Sequence, residues 1–297
     1  MSRPVVIARI LYGLGNQLFQ YATARRLAHV LDAELKLDIT CFQHWKVYPY
    51  RLNLFQVRET LASPEECARF NSIAIPSYLG KLWFRLRQIV TLRDWTILYE
   101  NEVGPADPRV LNAKGNVYLG GYWQSEKYFR DIRDILRQEF ALKPEPDAEN
   151  RRLAAEIGGC ESVSLHVRHG WDVTDAYSGR AVGTCDLDYY ARCIAEIGRR
   201  VKNPHLFLFS DHMEWARQNI RAGFPITPVT HNGPERDYED FRLMGLCRHH
   251  IISNSSFSWW AAWLSPHEDP VVLAPRRYCK DPRIDTRDIV PEAWTRL

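Results

Sequence analysis

Residues 249–264 read His-His-Ile-Ile-Ser-Asn-Ser-Ser-Phe-Ser-Trp-Trp-Ala-Ala-Trp-Leu, a β-branched pair, a polar turn and an apolar segment in succession. Ile251 and Ile252 predict a short buried strand. Asn254, Ser255 and Ser256 are residue types that cap helix N-termini, and the segment from Phe257 onward predicts a buried helix. The free backbone N–H groups and the positive dipole end of such a helix favour a bound phosphate. The alternative is a capped core helix that binds nothing.

The rest of the chain predicts an α/β fold. Strands are predicted at 4–10, 34–38, 117–122, 162–168, 205–210, 226–230 and 271–274. Helices are predicted at 15–31, 77–90, 126–140, 187–200, 212–221, 237–246 and 257–264. Because strands alternate with helices, we expect doubly wound parallel sheets. A length of 297 residues favours two domains, and the polar segment 142–147 with its two prolines is the best linker. The simplest architecture is therefore two Rossmann-like domains facing across a cleft.

Composition excludes several classes of protein. A formal charge of +3 gives no clustered basic face for nucleic acid, and the sequence has no run of eighteen apolar residues that would span a membrane. The N-terminus enters a strand within four residues, which argues against a signal peptide. The seven cysteines are odd in number and form no C-x-x-C pair, as expected of reduced thiols in the cytoplasm, with zinc unexpected. Ten Trp and fourteen Tyr suit stacking on sugar rings.

The predicted helix over 77–90 carries an apolar stripe with basic residues mostly off that face. It is typical of a helix packed on the core. The alternative is a basic helix that contacts a membrane surface peripherally.

Gly13-Leu14-Gly15-Asn16-Gln17-Leu18 follows the first strand and opens the first helix. It begins like the G-x-G-x-x-G dinucleotide fingerprint, which leaves a nucleotide-dependent oxidoreductase open, but Leu18 in the third glycine position argues against it. Asn16 and Gln17 are placed at the carboxyl end of a strand, where doubly wound sheets bind ligands. The alternative is a turn followed by a helix cap.

The strand at 162–168 alternates, so that Ser164, His166 and Arg168 share one face of the sheet. Two cationic or donor side chains at the carboxyl end of a strand suit a diphosphate, which Arg can bind bidentately. The alternative is a core histidine and an arginine paired with an acid.

Several acidic residues are also placed at helix starts. Asp211 ends the strand at 205–210, where it is either a ligand of a ribose or base or, as we favour, the cap of the next helix. Asp240 opens the helix at 237–246 and is a candidate acceptor for a guanine edge. Asp186-Leu187-Asp188 has the D-x-D form of metal-dependent sugar transferases, but its position predicts a helix cap, and no metal is predicted.

Four segments together resemble the bacterial α-1,2-fucosyltransferases of glycosyltransferase family 11. They are residues 13–21 (Gly-Leu-Gly-Asn-Gln-Leu-Phe-Gln-Tyr), residues 120–125 (Gly-Gly-Tyr-Trp-Gln-Ser), His166-Val167-Arg168 and residues 249–264. The resemblance runs from residue 5 to about residue 278. It implies a GT-B-like fold with an acceptor-side domain at 1–145 and a domain at 146–297 that binds GDP-β-L-fucose. It further implies metal-independent, inverting transfer to the 2-hydroxyl of a galactoside in a surface glycan, by an enzyme in the cytoplasm or peripherally at the inner face of the cell membrane.

On this resemblance the donor contacts are assigned to both domains. The assigned residues are Asn16, Gln17, His166, Arg168, Asp211, Asp240, Asn254, Ser255, Ser256 and Phe257. Arg168, the two serine hydroxyls and the helix N–H groups are expected to stabilise the departing diphosphate. No cofactor is expected besides the donor substrate.

One motif departs from the family. The family pattern is His-x-Arg-Arg-x-Asp, whereas this chain reads His166-Val167-Arg168-His169-Gly170-Trp171, with Asp172 one place late. His166, Arg168, Asp172 and His169 are the catalytic candidates, and either Asp172 or His169 is the candidate base. The departure also leaves open a different donor or linkage, or a glycan-binding protein without catalysis.

Overall fold

The computed structural model describes residues 3–44, 47–71, 89–92, 94–100, 104–169 and 183–297. The chain divides into two compact units. Unit 1 comprises Met1–Lys143 and Arg287–Ile289, and unit 2 comprises Pro144–Thr286 and Val290–Leu297. The first division follows Lys143, within the proline-containing segment 142–147. The return of Arg287–Ile289 to unit 1 has no linker signal in the sequence.

Unit 1 is built on a five-stranded sheet in the order β2-β1-β5-β4-β3. The strands are β1 (Val5–Arg9), β2 (Glu34–Asp38), β3 (Ile89–Leu92), β4 (Trp95–Tyr99) and β5 (Asn116–Gly120). Its helices are α1 (Leu14–Val30), α2 (Cys41–His44), α3 (Pro64–Asn71), α4 (Pro108–Leu111) and α5 (Arg133–Glu139). All strand pairs are parallel except β3 with β4. The sheet is thus Rossmann-like with one antiparallel edge strand.

Unit 2 is built on a six-stranded parallel sheet in the order β11-β10-β9-β6-β7-β8. The strands are β6 (Glu161–Val167), β7 (Pro204–Ser210), β8 (Ile226–Pro228), β9 (His249–Ile251), β10 (Val272–Ala274) and β11 (Thr295–Arg296). Its helices are α6 (Ala148–Gly158), α7 (Leu187–Arg200), α8 (Met213–Asn219), α9 (Asp237–Leu246) and α10 (Ser256–Leu264). Val163, Leu165 and Val167 of β6 enter the core against α7, as the alternation in the sequence predicts.

The strand order reverses beside the first strand of each unit. In unit 2 the chain runs outward from β6 to β7 and β8, and β9 then pairs with the other side of β6. In unit 1, β1 likewise lies between β2 and β5. Doubly wound sheets bind ligands at such reversals, outside the carboxyl ends of the strands. The topology therefore points to the loops after β6 and β9, and to those after β1 and β5.

The predicted α/β class with doubly wound parallel sheets is confirmed. Most of the helix predicted over 77–90 lies outside the described residues, but Ile89 and Val90 belong to β3, because they pair with Leu98 and Ile97 of β4. The helix predicted over 126–140 is also partly wrong. Phe129, with φ of −147° and ψ of 5°, leaves the helical region, so two 3₁₀ turns precede α5.

All seven cysteines are free, so the structure has no disulfide. Over the part of the chain that the structure describes, no helix is long and apolar enough to cross a membrane.

Candidate functional site

Arg168 reaches the N-terminus of α10. It follows β6, and its Nη1 donates to the backbone oxygen of Asn254 at 3.3 Å. Asn254 follows β9 and directly precedes Ser255, the N-cap of α10. The topology thus brings a guanidinium and the positive end of a helix dipole to one place, which is the combination that binds phosphate groups.

The start of α10 has the predicted cap. Ser255 is extended, with φ of −135° and ψ of 127°, and its Oγ accepts from the N–H of Phe257 at 3.3 Å. The helix is held in the core by Trp259 and Trp260, which are fully buried. Ser256 is the first helical residue and is half-buried. The first turn holds no acidic side chain that would repel an anion.

His166 lies behind Arg168, nearly buried at the end of β6. Its Nδ1 is 2.9 Å from the hydroxyl of Ser253, and its ring centroid is 5.9 Å from that of Phe257. Burial, opposed by the charge of Asp211 and reinforced by that of Arg168, lowers the pKa of His166 to about 4. The sequence allowed a cationic His166, but the imidazole is neutral at pH 7 and acts as a hydrogen-bonding group.

Asn254 is a structural residue of this loop. Its side chain is buried, Nδ2 donates to the backbone oxygen of Gly183 at 2.9 Å, and Oδ1 accepts from the thiol of Cys185 at 3.6 Å. The expectation that the Asn254 side chain contacts the donor is corrected on this ground. It ties residues 183–185 to the loop and thereby fixes the carbonyl that receives Arg168.

The end of β7 lies beside the loop that follows β6. Asp211 Oδ1 accepts from the backbone N–H of His169 at 2.7 Å. His212, rather than Asp211, caps α8, because its side chain accepts from the N–H of Trp215. The preferred prediction of a capping Asp211 is therefore wrong. His169 stacks flat on Trp215, with ring centroids 3.7 Å apart and planes inclined by 7°.

Asp172, the other candidate base, lies outside the described residues. Asp240 lies in the first turn of α9, and its Oδ1 accepts from Asn232 at 2.9 Å. Burial, opposed by the hydrogen bond from Asn232 and reinforced by Asp237 and Glu239, raises the pKa of Asp240 to about 7. The neighbouring Phe241 packs on Phe257, with centroids 5.5 Å apart, which couples α9 to the start of α10.

The D-x-D segment caps a helix, as predicted. Asp186 accepts from the N–H of Tyr189 at 2.7 Å at the start of α7, and Asp188 pairs with Arg192. Within the described residues, no group of three or more His, Cys, Asp or Glu side chains is placed to hold a metal ion.

The loops after β1 and β5 meet at the edge of unit 1. Asn16 Oδ1 accepts from Gln124 Nε2 at 2.7 Å. The Tyr12 ring lies 5.4 Å from that of Tyr122 and 6.2 Å from that of Tyr48. All five side chains are half-buried, so this edge presents an aromatic and amide surface.

Gln17 does not belong to that surface. It is fully buried, its Nε2 donates to the backbone oxygens of Tyr12 and Pro49 at 2.6 and 2.9 Å, and its Oε1 accepts from the N–H of Arg51 at 2.9 Å. The prediction that Gln17 contacts a ligand is corrected, because each polar group of its amide is used to hold the surrounding chain.

Sequence reasoning missed Glu100, which follows β4 at the same edge of unit 1. Its Oε2 accepts from the backbone N–H groups of Tyr122 and Trp123 at 2.5 and 3.1 Å. Burial, opposed by these two hydrogen bonds and reinforced by Asp107, raises its pKa to about 7. The available signal was an apolar run, Trp95–Tyr99, that ends in a glutamate.

The comparisons with known proteins agree on one family. The model of glycosyl transferase family 11 matches residues 86–297. The chain is 29% identical over 300 residues to an alpha-1,2-colitosyltransferase of Escherichia coli, covering 99% of both proteins. It is 29% identical over 291 residues to the O-antigen biosynthesis glycosyltransferase WbnK of Escherichia coli, covering 90% of this chain and 92% of WbnK. It is also 29% identical over 269 residues to galactoside alpha-(1,2)-fucosyltransferase 1 of Saimiri sciureus, covering 88% of this chain and 65% of that protein.

Solved structures show the same fold. The fucosyltransferase NodZ from Bradyrhizobium aligns with a TM-score of 0.50 at 16% identity, covering 91% of this chain and 97% of NodZ. A mutant of Arabidopsis thaliana FUT1 in complex with GDP aligns with a TM-score of 0.50 at 11% identity, covering 93% of this chain and 72% of FUT1. At these identities the likeness concerns the fold alone, and it confirms the predicted GT-B-like class.

Proposed function

This chain belongs to glycosyl transferase family 11, and from that premise we propose that it transfers L-fucose from GDP-β-L-fucose to the 2-hydroxyl of a galactoside. The family and the relatives make it a fucosyltransferase-like glycosyltransferase that acts on glycans. The names of two relatives specify α-1,2 transfer, one of them to a galactoside, which supports the linkage and the acceptor.

The observation that carries the proposal is the contact of Arg168 with the backbone oxygen before the α10 cap. In the proposed step the acceptor O–H bond breaks, and its proton passes to the base, for which Asp172 and His169 are the candidates. The acceptor oxygen forms a bond to the anomeric carbon while the bond from that carbon to the diphosphate breaks, with inversion. Negative charge then builds up on GDP. Arg168, the hydroxyls of Ser255 and Ser256 and the first N–H groups of α10 stabilise that charge.

The remaining donor contacts follow from the same edge of unit 2. Neutral His166 donates a hydrogen bond to the diphosphate or sugar, and the Phe257 ring contacts the donor beside it. Asp240 accepts from the N–H groups of the guanine edge, and Asp211 accepts from the ribose. Asn16, which is half-buried, is also assigned to the donor.

The test compares Arg168→Ala and Ser256→Ala with the wild type, measuring GDP release from GDP-L-fucose with lactose as acceptor. We expect kcat to fall by about a hundredfold in Arg168→Ala, the usual effect of losing one charge-stabilising donor. Arg192→Ala, which removes an exposed arginine of α7, is the matched control and should retain activity. EDTA should leave the rate unchanged. Unchanged turnover in both Arg168→Ala and Ser256→Ala would overturn the proposal.

GDP-L-colitose is the second candidate donor, because of the name of one relative. A relative that matches this chain over 99% of both lengths is named as a colitosyltransferase. Colitose is L-fucose without its 3-hydroxyl, so the two donors differ in one hydrogen-bonding group. A site that binds this hydroxyl rejects colitose strongly, whereas an apolar site discriminates only weakly against the hydroxyl of fucose. Comparing kcat/KM for GDP-L-fucose and GDP-L-colitose therefore decides between the two. Binding of both donors without turnover on any galactoside would identify a non-catalytic glycan-binding protein.

A further inference from the structure

We propose that Asn232 is a positioning residue for the base of the donor: paired with Asn150, it holds the Asp240 carboxylate as the acceptor of the two adjacent N–H donors that guanine presents. The inference rests on the proposed function, because it concerns the nucleotide of that donor. All of its contacts lie within unit 2. The sequence indicated a role for Asp240 and none for either asparagine.

The three residues come from two helix starts and one loop. Asn232 follows β8, Asp240 lies in the first turn of α9, and Asn150 lies in the first turn of α6. Because β8 is parallel to β7, and β6 is parallel to both β7 and β9, these strands end at the same edge of the sheet. Asn232 is therefore placed at the edge where the loops after β6 and β9 form the proposed diphosphate site.

Asn150 and Asn232 face each other as a pair of amides. The Nδ2 of each donates to the Oδ1 of the other at 3.0 Å. Asn150 is fully buried, and its Nδ2 also donates to Asp147 Oδ1 at 3.0 Å. Because a carboxylate only accepts, this contact fixes the orientation of the Asn150 amide, and the paired bonds then fix that of Asn232.

The Asn232 amide holds one oxygen of Asp240. Its Nδ2 donates to Asp240 Oδ1 at 2.9 Å. Asp240 is half-buried, and its Oδ2 accepts no hydrogen bond from any residue in the described part of the chain. The carboxylate is thus fixed on one side, while Oδ2 keeps its lone pairs for a ligand.

Ring contacts connect Asp240 to the proposed diphosphate site. The next residue, Phe241, packs on Phe257 with centroids 5.5 Å apart. Phe257 directly follows Ser256 at the start of α10, and its ring lies 5.9 Å from that of His166. The donor therefore binds with its diphosphate at the start of α10 and its base at the start of α9.

Guanine suits this acceptor better than adenine does. Guanine presents N1–H and its 2-amino group side by side, so both can donate to one carboxylate. Adenine presents a lone pair at N1 beside its amino group, and this lone pair repels a carboxylate. A site built to form hydrogen bonds strongly rejects an analogue that leaves them unmade. The Asn232–Asp240 contact therefore selects a guanine nucleotide.

The hydrogen bond from Asn232 also favours the ionised form of Asp240. Burial, reinforced by the charges of Asp237 and Glu239, raises the pKa of Asp240 to about 7, and the bond from Asn232 opposes this rise. Only the ionised carboxyl group accepts from both N–H groups of guanine without a proton of its own in the way. Donor affinity should therefore fall as the pH falls through 7.

The other charged groups around this cluster have partners of their own. They are the pairs Glu239–Arg242 at 2.9 Å, Asp147–Arg236 at 2.7 Å and His231–Glu149 at 3.9 Å. The Nε2 of His231 also lies 2.9 Å from Asn150 Oδ1. Asn150 therefore keeps Asp147 and His231 as partners when the side chain of Asn232 is replaced.

The experiment measures the Kd of GDP-L-fucose without acceptor, by isothermal titration calorimetry between pH 6 and 8.5. The diphosphate of this donor is a diester with no group that titrates in this range. We expect the wild-type Kd to be about tenfold higher at pH 6 than at pH 8, since about a tenth of Asp240 is ionised at pH 6.

Asn232→Leu keeps the size of the side chain and removes the donor. Its Kd should rise about tenfold at pH 7.5, the usual effect of losing a hydrogen bond to a charged group, and less at pH 8.5, where Asp240 is ionised again. A purely structural defect would weaken binding equally at both pH values. The preference for GDP-glucose over ADP-glucose, which differ only in the base, should also fall. Asn232→Gln keeps the amide and should recover part of the affinity.

Asn219→Ala is the matched control, because the Asn219 amide donates to the backbone oxygen of Trp215 in the same unit. Its Kd should match that of the wild type at every pH. Asp240→Asn should bind weakly and without the pH dependence.

Two results overturn the positioning role while the loss in Arg168→Ala still supports the proposed function. One is a wild-type Kd at every pH in Asn232→Leu, and the other is an unchanged pH dependence in Asp240→Asn. If Asn232→Leu does not fold, an equal wild-type Kd at pH 6 and pH 8 overturns the role. If the wild type binds no GDP-sugar, the proposed function itself fails.

Discussion

His169 illustrates how this chain accommodates its departure from the family's His-x-Arg-Arg-x-Asp pattern. Its ring lies flat on Trp215 at a centroid distance of 3.7 Å, and its backbone N–H is held by Asp211. A guanidinium is also planar and stacks on aromatic faces in the same way. The position therefore keeps the stacking geometry that an arginine would have.

His169→Arg should keep the stacking on Trp215 and add a positive charge beside the proposed diphosphate site. We expect the KM for GDP-L-fucose to fall by about twofold to fivefold, since a partly exposed charge contributes less than about 1 kcal/mol. The measurement is steady-state kinetics at fixed lactose. His169→Phe is the companion variant, because it keeps a flat ring and removes the ring nitrogens. A large loss of kcat in His169→Phe would make His169 the base.

The sequence predicted the positions of site residues that follow from local pattern. It missed those that depend on partners far away in the chain. Arg168 and Ser255 were predicted to lie at one site, because each follows a parallel strand and such strands end at the same edge. Gln17 was misassigned, because its carbonyl partner Pro49 is 32 positions away. The Glu100 side chain lies against Gly121, which belongs to another strand–loop segment. No local pattern in the sequence predicts this close contact.

Two neighbouring strands, β6 and β9, carry a pair of buried histidines. His166 ends β6 against Ser253, and His250 of β9 has its Nδ1 2.8 Å from Ser164 Oγ. Burial is the largest cause that lowers the pKa of His166 to about 4 and that of His250 to about 3. Neither ring is protonated in the folded protein near neutral pH, although both would be protonated in the unfolded chain below its ordinary pKa of about 6.5.

This pair makes the stability of unit 2 sensitive to acid. Between pH 6.5 and 4 the unfolded chain binds more protons than the folded one, so the free energy of unfolding falls as the pH falls. Each histidine contributes a slope of up to about 1.4 kcal/mol per pH unit. Urea unfolding at pH 7.5 and 5.5, followed by tryptophan fluorescence, measures the effect. We expect the double variant Ser164→Ala/His250→Phe, which leaves no unpaired polar partner, to reduce the slope. His29 is exposed, so His29→Gln should leave the slope unchanged. Equal slopes of the free energy of unfolding against pH in the wild type, the double variant and His29→Gln would contradict this prediction.

Strands and helices were predictable from the sequence where their own residue types carry the strand or helix pattern. The strand, cap and helix of residues 249–264 follow from β-branched, hydroxyl and apolar residues in direct succession, and β9 and α10 form there. β4 was missed because the region from 40 to 115 shows no regular alternation, and its strand is defined by pairing with β5. Pairing between strands belongs to the whole sheet and is weakly encoded in either segment alone.

At the scale of the whole molecule, the chain passes between the two units three times, after Lys143, after Thr286 and after Ile289. The segment Arg287–Ile289 is therefore part of unit 1 although it lies near the C-terminus of the chain. Asp288 attaches it: Oδ2 accepts from the N–H of Ala106 at 2.9 Å, and Oδ1 pairs with Lys127 at 2.6 Å. Neither the composition nor the periodicity of the sequence indicates this attachment.

The exposure of the Asp288 and Lys127 side chains predicts which of the two contacts contributes more to the free energy of unfolding. Asp288 is 11% exposed and Lys127 is 42% exposed, so the ion pair is partly screened by solvent. Asp288→Ala leaves the N–H of Ala106 without its partner and should lower the free energy of unfolding by about 1–3 kcal/mol. Lys127→Ala removes only the ion pair and should cost at most about 1 kcal/mol. Urea unfolding of both variants checks the order, and GDP affinity should be unchanged in each because the proposed anion site is in unit 2. An equal or larger loss in Lys127→Ala would show that the ion pair, rather than the backbone hydrogen bond, holds the segment.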